Sequence, residues 1–155
     1  MSRVTFREAT AADLPAIVAM LADDEYGKDR EDARLPLDPR YLAAFEAISA
    51  DPNQLQIVAD LDGKVVGTMQ LSFLPGIASR GGWRGQIEAV RVASDLRSQG
   101  IGRQMIAWAV ERCRERGCHM AQLTSKATRL DAHRFYERLG WNKSHTGFKL
   151  QLEQP

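Results

Sequence analysis

The sequence contains no apolar run near the roughly 20 residues that cross a bilayer, and Met1 to Arg7 leads into no apolar signal-peptide core. No membrane association is therefore expected, and the cytoplasm is the expected address. Cysteine is scarce: Cys113 and Cys118 flank a glycine turn and form no C-x-x-C pair, so reduced thiols are expected. The three histidines, His119, His133 and His145, sit in separate segments without the ligand spacing of a zinc site, so no metal is expected. An excess of one charge is missing too. Lys and Arg number 21 against 20 Asp and Glu, and the resulting +1 excludes nucleic-acid recognition through a broad positive field. Repeats, linkers and low-complexity segments are also absent. What remains is a chain of 155 residues, 44% hydrophobic and 26% charged, the balance of one globular domain over 1–155.

Arg3 to Glu8 alternates Val4 and Phe6 with polar neighbours, the period of a half-buried strand. Thr10 and Asp13 resemble a capping box ahead of a helix whose Leu14, Ile17, Val18 and Leu21 form one apolar stripe. The run from Asp23 to Arg34 is densely charged without a period and reads as a solvated connection. Asp38-Pro39 opens a second helix that stops before Asp51-Pro52. Gln54 to Leu61 and Lys64 to Leu74 flank Asp62-Gly63, which signals an antiparallel hairpin. After a loop from Pro75 to Gly82, Trp83 to Val92 reads as another strand. A turn then leads through Gly100-Ile101-Gly102 into a helix with Ile106, Ala109, Val110 and Cys113 on one stripe, stopped at Gly117. Cys118 to Ser125 is a strand. Ala132, Phe135, Tyr136 and Leu139 mark a last helix ending at Gly140, capped by Asp131 or Thr128, and Trp141 to Leu152 reads as a closing strand. The order implies an α/β fold with a mixed central sheet and helices on both faces.

The most informative stretch is Arg97-Ser98-Gln99-Gly100-Ile101-Gly102 between a strand and a helix. The first turn of a helix carries unsatisfied N–H donors and about half a positive charge, and glycines let a ligand approach the backbone. That combination attracts phosphate. It lacks the Lys-Ser/Thr ending of a P-loop, and Met105 stands at the third glycine position of a dinucleotide fingerprint, so neither nucleotide reading fits. The bland alternative is a tight strand-to-helix turn.

These residues resemble the GNAT superfamily of acyl-CoA-dependent N-acyltransferases, whose pyrophosphate motif is Gln/Arg-x-x-Gly-x-Gly/Ala. Arg97, Gly100 and Gly102 fill that motif. The resemblance extends over nearly the whole chain, through the element order and Phe135-Tyr136-Glu137-Arg138-Leu139-Gly140-Trp141. It implies a single-domain GNAT fold in which the backbone of Arg97, Ser98, Gln99, Gly100, Ile101, Gly102 and Arg103 holds the pyrophosphate of acetyl-CoA. The main chain of Val90, Arg91 and Val92 would bond the pantetheine arm like an added strand. A departure is Arg129, which stands where many members carry a cofactor-touching Asn.

Acetyl transfer to an amine needs a proton acceptor, a donor to the developing oxyanion and a proton for the departing thiolate. Glu88, two residues before Val90 and by strand period on the same face as Val90 and Val92, is the candidate base. Its alternative is a solvent-facing carboxylate. Tyr136 is the candidate acid, protonated at neutral pH with an ordinary pKa of about 10, and its alternative is a packed helix-face aromatic. The resemblance assigns the oxyanion to a main-chain N–H near Val90. On the acceptor side, Asp24, Glu25 and Tyr26 suggest an acidic, aromatic mouth for an ammonium group, and Trp83 is a further candidate. Arg80 and Arg84 suit instead an amine bearing a carboxylate or phosphate.

The expectation is an N-acetyltransferase acting on a small-molecule primary amine by direct attack in a ternary complex, and the resemblance allows a homodimer. The rivals are a non-catalytic acyl-CoA-binding sensor or interaction module, and an acetyltransferase acting on a protein terminus or lysine.

Overall fold

In a computed structural model that describes residues 3–153, Asp62 and Gly63 both take positive φ, 53° and 88°, and close the expected hairpin. The carboxylate of Asp60 accepts the Gly63 N–H at 2.7 Å and holds the turn. Its arms are β2 (Gln54–Leu61) and β3 (Lys64–Leu74), with the bounds expected on either side of that turn. They lie inside a five-stranded sheet with β1 (Val4–Glu8), β4 (Trp83–Val92) and β5 (Cys118–Gln122), in the order β1-β2-β3-β4-β5. All neighbours are antiparallel except β4 and β5, so the sheet is mixed as expected.

The chain forms two compact units, one ending at Gln122 and one beginning at Leu123. In the first, helices cover both faces of the sheet. The N–H of Thr10 donates to Asp13 at 2.7 Å, closing the predicted capping box ahead of α1 (Leu14–Ala22). Leu14 and Ile17 then pack on Val58 of β2, and Leu21, Leu37, Phe45 and Val65 close around them. Phe45 is supplied by α2 (Pro39–Ala50), whose start is capped by Asp38 accepting the Arg40 N–H at 2.9 Å. Of these, the buried Leu14, Ile17 and Val58 each contribute roughly 1.5–3 kcal/mol, and the partly buried side chains less.

On the other face lies α3 (Ile101–Glu115), with Met105, Ile106, Ala109 and Cys113 buried. Its Trp108 ring sits 6.0 Å from Phe6 of β1. A side chain at Gly85 of β4 would place its Cβ 2.1 Å from the sulfur of Cys113, so glycine there sets how closely α3 meets the sheet. That contact fixes the helix whose first turn carries the glycine motif.

The second unit contains α4 (Leu130–Arg138), and its Phe135, Tyr136 and Trp141 rings stack edge to face at 5.1 and 6.0 Å. Two expectations fail here. The residue that caps α4 is Arg129, whose side chain makes no capping hydrogen bond, in place of Asp131 or Thr128. Trp141 to Leu152 forms no strand: its alternating Phe148, Leu150 and Leu152 are 93%, 85% and 79% exposed. Alternation marks a face fit for burial, whereas a strand also needs a partner's backbone groups.

Asp13 also anchors the entry to α1 through Arg7, whose two terminal nitrogens donate to its carboxylate at 2.8 and 3.1 Å. Those bonds hold the Asp13 carboxyl below the ordinary carboxylate range. A depressed folded-state pKa stabilises above the unfolded value, about 3.9, and that stabilisation is lost as pH falls through the folded value. Asp13→Asn is expected to cost about 1–2 kcal/mol at pH 7 and to make the acid-side loss of stability shallower, read by urea unfolding across pH. Parallel pH profiles for the two proteins would contradict this.

Candidate functional site

β4 pairs with β3 in two registers. Gln70 lies opposite Glu88, and Thr68 lies opposite Arg91, so the single residue Met69 faces the two residues Ala89 and Val90. This is a β-bulge, and Ala89 adopts φ 51° within it. Directly opposed residues share a face, and Thr68 also opposes Val58, which packs under α1. Glu88 and Arg91 therefore project on the α1 face, while Val92, opposite Gly67, belongs to the α3 face. The expectation that Glu88 and Val92 share a face is thus corrected, because the extra residue reverses the parity of the strand. The bulge has a second consequence: it releases one residue's backbone groups from the ladder.

On its other edge β4 meets β5 only as far as Gln86↔Gln122, and it continues past that pair to Val92. The stretch from Val90 to Val92 is thereby left without a β5 ladder. Its carbonyls are held by arginines: Arg91 donates to Val90 O at 2.9 Å and Arg97 Nε to Val92 O at 3.3 Å.

Beyond Val92 the chain turns through Ser94 to Leu96, and Ser98 and Gly100 both take left-handed φ, 67° and 83°. Open space surrounds Gly100, so glycine is used there for its backbone alone. Gly100 sits at the cap of α3 and supplies no side chain to bond the first turn. The N–H groups of Ile101, Gly102 and Arg103 are therefore the donors a helix start leaves over, at the positive end of the macrodipole. Buried Ile101, Met105 and Ile106 anchor that turn, while Arg97, Ser98 and Gln99 are exposed beside it.

The charged connection is ordered rather than featureless. Asp24 accepts the N–H groups of Tyr26 and Gly27 and pairs with Arg91 Nε at 2.9 Å, both side chains being largely shielded from solvent. Arg97 also donates to Asp23 O at 3.3 Å, and Tyr41 donates to Glu31 at 3.0 Å while accepting the Asp32 N–H. The loop is thus tied to the strand and turn that carry the expected cofactor contacts. Its Asp24 carboxylate is engaged within the protein, Glu25 is exposed and Tyr26 is half-buried. Trp83 is not brought to this place. It starts β4, eight residues before Arg91, which is about 26 Å along an extended strand.

Tyr136 lies on α4 of the second unit, between Phe135 and Trp141. Cys113 and Cys118 are free thiols, and burial pushes Cys113 up to about 11. Among the described residues no group of three His, Cys, Asp or Glu is placed to hold a metal.

The sequence reading missed two features. One is the Asp24–Arg91 pair, whose partners are 67 positions apart without a pattern to join them. The other is a run of glutamines on the α1 face, Gln54, Gln56, Gln70, Gln86 and Gln122, which alternation marks only as the polar positions of their strands.

Residues 16–141 match the family model described as the acetyltransferase (GNAT) family. An aminoalkylphosphonate N-acetyltransferase of Salmonella typhimurium is 34% identical, over 94% of this chain and 90% of its own. An L-methionine sulfoximine/L-methionine sulfone acetyltransferase of Pseudomonas paraeruginosa is 28% identical, over 90% and 81%. Among solved structures, a transcriptional regulator from Bacillus halodurans C-125 superimposes with TM-score 0.94 at 48% identity, covering 97% of this chain and all of that one.

Breaking a shielded ion pair leaves a charge uncompensated, so Asp24→Ala and Arg91→Ala should each cost about 3 kcal/mol in denaturant unfolding. The double variant should cost little more than either alone. Additive losses would show that the two side chains act independently.

Proposed function

The chain belongs to the acetyltransferase (GNAT) family, and from that membership we propose that it moves the acetyl group of acetyl-CoA to the primary amine of a small molecule in a ternary complex. The observation that carries the reading is the juxtaposition within one stretch of chain of a bulged, partly unladdered β4 and the uncapped start of α3. The backbone from Arg97 to Arg103 takes the pyrophosphate, and the Val90 to Val92 main chain takes the pantetheine arm as an added strand. For that, the arginine bonds to the Val90 and Val92 carbonyls give way to the ligand. Both units are read as parts of one domain, which a family match running across Gln122 supports.

The amine lone pair attacks the thioester carbonyl carbon and its proton passes to the Glu88 carboxylate. A backbone N–H released by the bulge donates to the oxyanion. As the intermediate collapses the C–S bond breaks, and the thiolate takes a proton from the Tyr136 hydroxyl. Exposure of Glu88 on the face opposite α3 supports its part, since an amine can reach it. The Arg91–Asp24 pair supports a role for Glu25 and Tyr26 at the edge of the acceptor site, by holding their loop against β4. A cytoplasmic location and a homodimer are parts of the same proposal, the latter open to test by sedimentation.

The relatives support as acceptor an amine that also carries an anionic group, such as an aminoalkylphosphonate. The likeness to a transcriptional regulator favours a second reading, a regulatory module that binds acyl-CoA without turnover.

A thiol-release assay with acetyl-CoA against aminoalkylphosphonates, amino acids, polyamines, aminoglycosides and peptides separates these. Acetylation of a small anionic amine is expected, and saturable acetyl-CoA binding without release on any acceptor would favour the module. Glu88→Gln and Tyr136→Phe should each lower kcat by about 100-fold with the KM for acetyl-CoA little changed. Unchanged kcat in both would move those roles to other residues.

A further inference from the structure

The α1 face of the sheet changes character along its strands. At the row Val58–Thr68 it packs under Leu14 and Ile17, but two rows on it is polar across four strands, with Gln54, Ser72, Gln86 and Gln122 directly opposed. The row between them holds Gln56, Gln70 and Glu88. Amides on the inner strands of a sheet are costly to shield unless hydrogen bonds meet them. Here they are met in part: Gln54 Oε1 accepts from Ser72 at 2.7 Å and Gln70 at 3.2 Å, and Gln86 Oε1 accepts from Gln122 at 2.7 Å. Every one of those bonds ends on an oxygen of Gln54 or Gln86. The amide nitrogens of both residues therefore remain as donors.

One row further, opposite Leu74, Arg84 shares the same face and is half-buried. Arg7 is paired with Asp13 and Asp60, and Arg91 with Asp24. Among the described residues Arg84 makes no ion pair or hydrogen bond, so it is the guanidinium on this face with its charge available.

Resting on the acetyltransferase reading, we propose that Arg84 with the Gln54 and Gln86 amides forms the acceptor's head-group subsite, and that it takes a phosphonate or phosphate oxyanion. Arg84 and Glu88 are four residues apart, about 13 Å along the strand; an Arg84 Nη atom rests beside Gly76 at the loop end of that strand, and a swing of this long side chain back along the face toward Glu88 shortens the gap toward the length of a short aminoalkyl chain. The field along β4 orients such a substrate. Its ammonium end is drawn to the Glu88 carboxylate, and its oxyanion is repelled there and drawn to Arg84. A bidentate guanidinium and two amide donors match the several oxygens of a phosphonate, which a lone cation does not.

The test compares (2-aminoethyl)phosphonate with the uncharged amine propylamine as acceptors for the wild type, Arg84→Met and Arg84→Lys. In Arg84→Met the ratio of kcat/KM for the phosphonate to that for propylamine should fall about 100-fold, with the KM for acetyl-CoA unmoved, and Arg84→Lys should recover part of it. Calorimetry with methylphosphonate, which has no amine to acetylate, reads the subsite without turnover and should lose its signal in Arg84→Met. Equal losses for both acceptors, or an unchanged ratio together with unchanged methylphosphonate binding, would overturn the proposal. Acetylation of propylamine with no preference for the phosphonate also overturns it while leaving the transferase reading intact. Arg84-dependent methylphosphonate binding without turnover of any amine supports the subsite and removes the transferase reading.

Discussion

One extra residue in β4 governs the chemistry this sheet supports. Because Ala89 and Val90 together face Met69, the strand changes parity in its middle, and side chains before and after the insertion exchange sides. Glu88 and Arg91, three apart, project together, which an unbroken strand forbids. The same insertion frees backbone groups beside the place where β4 leaves its β5 ladder. A carboxylate, a largely shielded guanidinium and unladdered main chain are thereby assembled within five residues. The strained φ of Ala89 is the cost of that arrangement, of a size met where function over-determines the backbone.

From that bulge the rest of the site is held by ordinary forces. Arg91 reaches the loop after α1 through Asp24, and Arg97 reaches the same loop through a carbonyl. The segment expected to face the acceptor and the segment expected to face acetyl-CoA are thus mechanically joined. On the opposite side of the sheet, the buried stripe of α3 and the close approach at Gly85 fix the direction of the helix start. The donors at Ile101 to Arg103 are consequently preorganised by apolar packing, without a capping side chain of their own.

Much of the fold was legible because it rests on local chemistry. Asp62-Gly63 is a turn that few other residues make, and β2, β3 and β4 run between the boundaries that this turn and the Pro75 to Gly82 loop set. The motif at Arg97 to Gly102 was legible through its glycines. The bulge was not: Ala89 is an unremarkable residue, and the left-handed φ that signals the insertion leaves no mark on its identity. The face of Glu88 was therefore misjudged by a rule that holds only for an uninterrupted pleat. Asp24 was read as part of a solvated charge run, since its partner lies in a distant strand and an ion pair has no sequence period. The closing strand expected over Trp141 to Leu152 failed because a strand needs a partner: Phe148, Leu150 and Leu152 alternate yet stay exposed. Gln54, Gln86 and Gln122 were individually plain, and only the register shows them as one row.

The central claim is that the amides opening α3 and the unladdered edge of β4 form one continuous surface for coenzyme A. Amide-resolved NMR during a titration with coenzyme A reads it most directly. Saturable shifts of Gly100, Ile101, Gly102 and Arg103, moving with the same midpoint as those of Val90 and Val92, are the predicted result. Saturable binding that leaves these six resonances in place and moves others would contradict it.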